Sequence, residues 1–183
     1  MTDSPLTSPE SYFPDREPGP TILVVDDEES ARRRLQAVLK TTKESRNIKI
    51  IFCADRNEAI EILSSTPVHV ALLDKNLGPD EKDDSQNGIK AIDEMRLLQP
   101  HLQVLVITGS KDTQDAVEAM KLGAFDYVTK DLPDELILCK INKAIEVSKI
   151  TFKQFRQARM STPESSELGG TSKVFQDILG RAE

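Results

Sequence analysis

The sequence is short of cysteine, has too few cations to balance its acids and contains no long apolar run. Each shortage closes off a class of protein. Two cysteines in 183 residues make no disulfide framework. Cys53 lies in a strand-like apolar run and Cys139 in a helical one, and both read as buried free thiols in a reducing cytoplasm. Lys and Arg total 24 against 31 Asp and Glu, giving a net charge of −7 and a pI near 5.0. That balance argues against a nucleic-acid-binding body, because affinity for phosphate backbones comes from Lys and Arg. Nowhere do roughly 18 apolar residues run together as a membrane span requires, and the polar N-terminus has no signal-peptide core. The chain reads as soluble and cytoplasmic, with no membrane contact. No G-x-G-x-x-G is present to support a nicotinamide-binding fold, and no helix-turn-helix occurs.

What is present is an alternation. Residues 1–20 are rich in Ser, Pro, Asp and Glu without periodicity and read as a disordered tail. Thr21 to Val25 is a β-branched apolar run, closed by Asp26-Asp27-Glu28-Glu29, and Ala31, Leu35, Val38 and Leu39 follow at helical spacing. Ile48 to Phe52 reads as a second strand, and Asp55 can cap a helix carrying Ala59, Ile60, Ile62 and Leu63. His69 to Asp74 is a short apolar strand ending in an acid, followed by a long acidic loop, Lys75 to Asn87, with Asp80, Glu81, Asp83 and Asp84. Gly88 precedes a helix with Ile89, Ile92, Met95 and Leu98, stopped by Pro100. Leu102 to Thr108 is a fourth strand; Ala116, Val117, Met120 and Leu122 mark a fourth helix, with Gly123 at its C-cap. Ala124 to Thr129 is a fifth strand, and Pro133 suits the first turn of a fifth helix. Five strand–helix alternations imply a doubly wound α/β domain with a five-stranded parallel sheet, since crossover helices make neighbouring strands parallel.

In a parallel sheet all strand ends open on one edge, where open α/β sheets place their binding sites. Asp26-Asp27, Asp74, Thr108-Gly109 and Lys130 end strands one, three, four and five. Clustered carboxylates repel unless a cation sits among them, and Mg²⁺ prefers oxygen ligands and waters. Such an ion would keep Asp74 ionised as a nucleophile, while Lys130 and the Thr108 hydroxyl stabilise phosphoryl oxygens. The set is complete for forming an aspartyl phosphate. Taken singly, Asp26 and Asp27 could cap the first helix, Thr108 could be an ordinary strand residue and Lys130 a surface lysine.

These residues resemble the receiver domains of two-component response regulators. The matching stretches are Val24-Val25-Asp26-Asp27-Glu28, Leu72-Leu73-Asp74, Val106-Ile107-Thr108-Gly109, Gly123-Ala124-Phe125-Asp126-Tyr127 and Thr129-Lys130. The resemblance implies a flavodoxin-like fold with strand order 2-1-3-4-5 over residues 21–148. It implies that Asp74 accepts a phosphoryl group from a sensor histidine kinase. It also implies that Asp27, Asp74 and the backbone carbonyl of Asn76 bind Mg²⁺, with Asp26 assisting through water. Thr108 and Tyr127 would form the switch pair. On its own Tyr127 reads as a half-buried strand aromatic. Such a domain is no enzyme beyond its own phosphoacceptance and dephosphorylation. Hydrolases of the haloacid dehalogenase type also use a strand-end Asp, but need a second acid two positions on, where this chain has Asn76.

Two departures stand out. The family follows its lysine with proline in a cis peptide, whereas Lys130 is followed by Asp131, and a cis bond there costs about 3–4 kcal/mol. The span from Asp74 to Gly88 is also longer than usual. Running out of the receiver, Leu138, Ile141, Ile145, Ser148, Phe152 and Phe155 alternate three and four apart, the spacing of a coiled-coil seam, which suggests a dimerising helix and a homodimer. The first part of the row must also pack on the receiver sheet, and a single extended linker helix is the alternative. Residues 149–166 read as linker helix and polar linker, and residues 167–183 resemble the entry to the AAA+ domain of NtrC-type activators. Gly169-Gly170-Thr171-Ser172-Lys173 is not a P-loop, because its glycine spacing is wrong. The expectation is the regulatory piece of a longer transcriptional activator, touching DNA only through an output domain absent from this chain. A stand-alone receiver acting as a protein-binding switch is the alternative.

Overall fold

In the computed structural model the described residues are 19–41, 47–77, 88–109 and 111–160. Five strands, β1 (Thr21–Val25), β2 (Lys49–Cys53), β3 (Val70–Leu73), β4 (Gln103–Thr108) and β5 (Asp126–Thr129), alternate with five helices. The helices are α1 (Glu29–Lys40), α2 (Arg56–Ser65), α3 (Ala91–Leu98, entered through a 3₁₀ turn at Gly88–Lys90), α4 (Thr113–Lys121) and α5 (Asp134–Met160). The strands pair in parallel in the order β2-β1-β3-β4-β5, as the resemblance implies. β1 has the limits read from the sequence, and the other strands differ from that reading by one or two residues at an end.

Strand alternation divides the core in two. Leu23, Val25, Ala71, Leu73, Val104 and Val106 face one way and meet Ala59 and Leu63 of α2, Ile92 and Met95 of α3 and Ala119 of α4. Ile22, Val24, Val70, Leu72, Leu105 and Ile107 face the other way and meet Leu35 and Leu39 of α1 and Ile137, Ile141 and Ile145 of α5. With both faces covered, central strands can be apolar throughout, and all five residues of β1 are buried. Asp55 caps α2 as expected, its carboxylate accepting from the Glu58 amide at 2.9 Å. Gly123, with φ +87°, occupies the left-handed region just past α4.

One expectation needs correction, that both cysteines are buried. Cys53 is buried, and burial pushes its thiol up to about 12. Cys139, however, is exposed, because it lies two residues from both Ile137 and Ile141, which point into the core. On α4, Val117 and Met120 are exposed: the helix rests on the sheet through the small residue Ala119. Leu98, at the end of α3, is exposed as well. The row on α5 is used within the chain: Leu138 packs on the core, Ile141, Ile145 and Ser148 are buried, and the Phe152 ring lies 4.6 Å from that of His101. The side chain of Phe155, the tail 1–18, the four loop acids and residues 161–183 lie outside the described residues.

Candidate functional site

The register of the sheet sets the site. Val25 pairs with Leu73, Leu73 with Val106 and Thr108 with Thr129, so the residues following these strands share one edge. Backbone bonds extend the pairing past the strands: Asp74 N–H donates to Val25 O at 2.8 Å, Asp26 N–H to Cys53 O at 3.2 Å and Lys130 N–H to Thr108 O at 2.6 Å. Three strand ends are therefore fixed before any side chain acts.

Asp26, Asp27 and Asp74 each place a carboxylate oxygen within 4.8 Å of the others. Asp26 and Asp74 are buried and Asp27 is exposed, so the cluster opens to solvent on one side. The Lys130 ammonium lies 2.9 Å from Asp74 Oδ2 and 3.1 Å from Asp26 Oδ2. Asp26 does not cap α1; its Oδ1 accepts from the Glu28 amide at 2.9 Å, and the N-cap residue Glu28 makes no side-chain cap bond. One ammonium cannot compensate two buried carboxylates. Burial raises the Asp74 pKa to about 6, Lys130 pulls it down and Asp26 pushes it further up. At Lys130 burial works against the charge, but the Asp74 and Asp26 carboxylates outweigh it and hold its pKa above the usual value. Hard oxygen donors on a partly desolvated, net negative site fit a small divalent cation. Asn76 stands half-buried two residues beyond Asp74.

Thr108 is buried at the end of β4. Tyr127 lies diagonally across from it on β5, since Val106 pairs with Tyr127 and both belong to the face covered by α2, α3 and α4. The Tyr127 hydroxyl is buried and, among the described residues, meets no group in full hydrogen-bond geometry. Burial and the Asp115 carboxylate raise its pKa, and the nearby Thr108 hydroxyl opposes them. The switch pair named from the sequence thus occupies one patch of the sheet.

Sequence reasoning missed three groups. Lys75, next to the acceptor acid, donates to Asp115 of α4, and both act on Tyr127. Adjacency to Asp74 was the one available signal. Gly88 brings the long loop back: its N–H donates to Lys75 O at 2.6 Å, and a Cβ there would meet Asp74 O at 2.1 Å. Arg34 of α1 contacts the Lys130 carbonyl from 96 residues away. As for the missing proline, no peptide bond among the described residues is cis, so the loop after Lys130 is trans, and Lys130 still reaches Asp74.

The model of the response regulator receiver domain matches residues 22–142. The chain belongs to this family. The curated relatives it matches are longer regulators. An NtrX-like response regulator of Rickettsia bellii is 30% identical over 153 residues, covering 84% of this chain and 30% of its own length. The regulatory protein AtoC of Escherichia coli is 29% identical over 161 residues, covering 86% and 32%. These relatives are NtrC-type regulators, as the sequence resemblance holds. The chain spans about a third of the length of such relatives, 30% in the first case. Among solved structures, a CheY-like receiver from Methanospirillum hungatei superposes with a TM-score of 0.62 at 20% identity, covering 73% of this chain and 98% of that one. A receiver from Clostridium thermocellum gives 0.61 at 25% identity, covering 72% and 98%. The receiver fold is accordingly complete within the described residues. Among those residues no helix is long and apolar enough to cross a membrane.

Proposed function

We propose that the chain is a phosphorylation-dependent signalling switch in which Asp74 accepts a phosphoryl group from the phosphohistidine of a sensor kinase. The observation that carries this reading is the meeting of the buried Asp74 carboxylate with Asp26, Asp27 and the Lys130 ammonium at one sheet edge. Asp27, Asp74 and the Asn76 carbonyl would hold Mg²⁺, with Asp26 assisting through water, and the ion would supply charge neutralisation for the phosphoryl oxygens. Asp74 Oδ supplies the nucleophile, forming the new P–O bond as the bond to the donor breaks. Lys130 gives up part of its pairing with Asp74 to the phosphoryl oxygens as a mobile point charge. The Thr108 hydroxyl moves toward them, and Tyr127 follows into the space behind. Chemistry beyond phosphoacceptance and autodephosphorylation is not assigned.

The output lies elsewhere in the longer protein. Residues 21–148 are the receiver, 149–166 the linker and 167–183 the entry to an AAA+-like domain that, with a DNA-binding part, controls transcription in the cytoplasm. The α5 helix continues unbroken from the receiver to Met160, which supports a mechanical link. With the inner row of α5 packed on its own sheet, a homodimer would use exposed apolar residues such as Leu136, Val147 and Ile150.

Intact mass after incubation with acetyl phosphate and Mg²⁺, beside Asp74→Asn, tests the chemistry. One phosphoryl group is expected on the wild type and none on the variant or without metal. No adduct and no beryllofluoride binding, with Mg²⁺ bound, would overturn the reading.

A further inference from the structure

In the β5–α5 loop the active lysine is followed by Asp131 and Leu132, with Pro133 only three positions on. Something other than a proline ring must set the direction of the chain there. The Lys130 amide is fixed by its bond to Thr108 O at 2.6 Å. Its carbonyl, on the loop side, accepts from Arg34 Nη1 at 2.5 Å. The other arm of the same guanidinium, Nη2, lies 2.7 Å from Asp134 Oδ1 and 3.5 Å from Leu132 O. One planar fork therefore spans the loop on both sides of Asp131. Its base is firm, because the neighbouring Leu35, together with Leu39, roots α1 in the core.

We infer that Arg34 is a positioning residue for Lys130, clamping the backbone of the loop so that the ammonium is presented to Asp74. The inference rests on the receiver reading, with Lys130 as the group that meets the phosphoryl oxygens. The Arg34–Asp134 pair is nearly half exposed, with side-chain exposures of 44% and 49%, so it adds little to stability. Its effect is geometric. A lysine at position 34 would keep the charge but could not bridge three acceptors, since only the guanidinium presents parallel donors in a rigid plane.

The test compares the 183-residue wild type with Arg34→Ala, Arg34→Lys, Lys130→Ala and Arg34→Ala/Lys130→Ala, using acetyl phosphate and Mg²⁺ so that no kinase surface enters. Arg34→Ala is expected to slow adduct formation about tenfold, the scale of a modest misplacement, with Tm within about 2 °C of wild type. Arg34→Lys should fall nearer to Arg34→Ala than to wild type. The double variant should be no slower than Lys130→Ala alone, because both changes remove one function. A wild-type rate for Arg34→Ala, or rate losses that multiply in the double variant, would overturn the clamp. Amide hydrogen exchange gives a second readout that needs no phosphotransfer. The Lys130 amide should exchange at least about fivefold faster in Arg34→Ala while central-strand amides stay unchanged; an unchanged Lys130 amide would overturn the clamp. If the wild type forms no adduct and, with Mg²⁺ bound, takes up no beryllofluoride, the receiver reading fails, and the exchange result still decides whether Arg34 holds the loop.

Discussion

The two ends of the β-sheet face the same problem, polar groups taken out of water, and meet it in opposite ways. At the carboxyl end the groups are acids and an ammonium, and Lys130 is shared between Asp26 and Asp74. At the amino end they are neutral. The buried Gln99 side chain accepts from Val68 N at 2.8 Å and donates to Leu63 O at 2.6 Å and Thr66 O at 2.7 Å, closing the gap between α2 and β3. His69 Nδ1 accepts from the Thr21 amide at 3.2 Å, and both histidine rings lie against Phe152. Burial lowers the pKa of each histidine, assisted by Lys149 at His69 and by His69 at His101. Neutral groups that satisfy one another, as Gln99 and His69 do, hold a fold together, although the buried His101 Nε2 meets no partner among the described residues. Buried charges that are only partly compensated cost stability and supply reactivity.

The sharpest way to separate the ends is by chemistry. Asp74→Asn should abolish the phosphoryl adduct, whereas Gln99→Leu should leave it, both read by intact mass; an adduct surviving in Asp74→Asn would move the acceptor elsewhere. Stability should then respond in reverse. Gln99→Leu strands two carbonyls and an amide, and should cost about 3 kcal/mol in urea unfolding; a loss under about 1 kcal/mol would mean that water replaces the amide.

A smaller effect tests the charged end. The native Asp74 pKa of about 6 exceeds the ordinary carboxylate value, so between about pH 4 and pH 6 the native state binds more protons than the unfolded state. The contribution of Asp74 to metal-free stability must fall as pH rises through that window. Asp74→Asn removes this fall and should be more stable than wild type at pH 7, on the order of 1–2 kcal/mol, and no more stable near pH 4. Equal pH slopes for the two proteins would refute the raised pKa.

The smallest effect carries the opposite sign. His69 and His101 have native pKa values below the ordinary one, so under about pH 6.5 the unfolded state takes up protons first and their contribution to stability falls as pH falls. His101→Leu should weaken this acid sensitivity by up to about 1 kcal/mol between pH 7 and pH 5. A variant as acid-sensitive as wild type would assign the slope to other groups.

Much of this was legible in the sequence, for physical reasons. Buried parallel strands must be apolar throughout, so Thr21–Val25 and Val70–Leu73 stand out, and the polar residues that end them mark the site edge. Asp26, Asp27, Asp74, Thr108, Tyr127 and Lys130 all fall where strand alternation puts them. The rest depends on which face of a helix is covered. Val117 and Met120 have the spacing of a core stripe, yet α4 touches the sheet through Ala119. The heptad-like row of α5 satisfies a sheet as well as a partner helix, and periodicity alone cannot choose between them. Arg34 leaves no signal, because an exposed arginine on a helix reads as solvated surface until the loop it holds has been folded against it.

The short closure between Lys75 and Gly88 has a consequence for how this chain can be altered. With the Lys75 carbonyl and Gly88 amide joined at 2.6 Å, and Gly88 fitted against the Asp74 carbonyl, the residues between are tied off at their root. Doubling such a segment costs only about 0.6 kcal/mol in closure entropy. Residues 78–87 can therefore be lengthened or changed at small cost while Asn76, a proposed metal ligand, and the buried Leu77 stay in place, and an engineer can graft a peptide tag or an environmentally sensitive dye there as a reporter. Asn76, Leu77 and Gly88 are the residues that such a graft must leave alone.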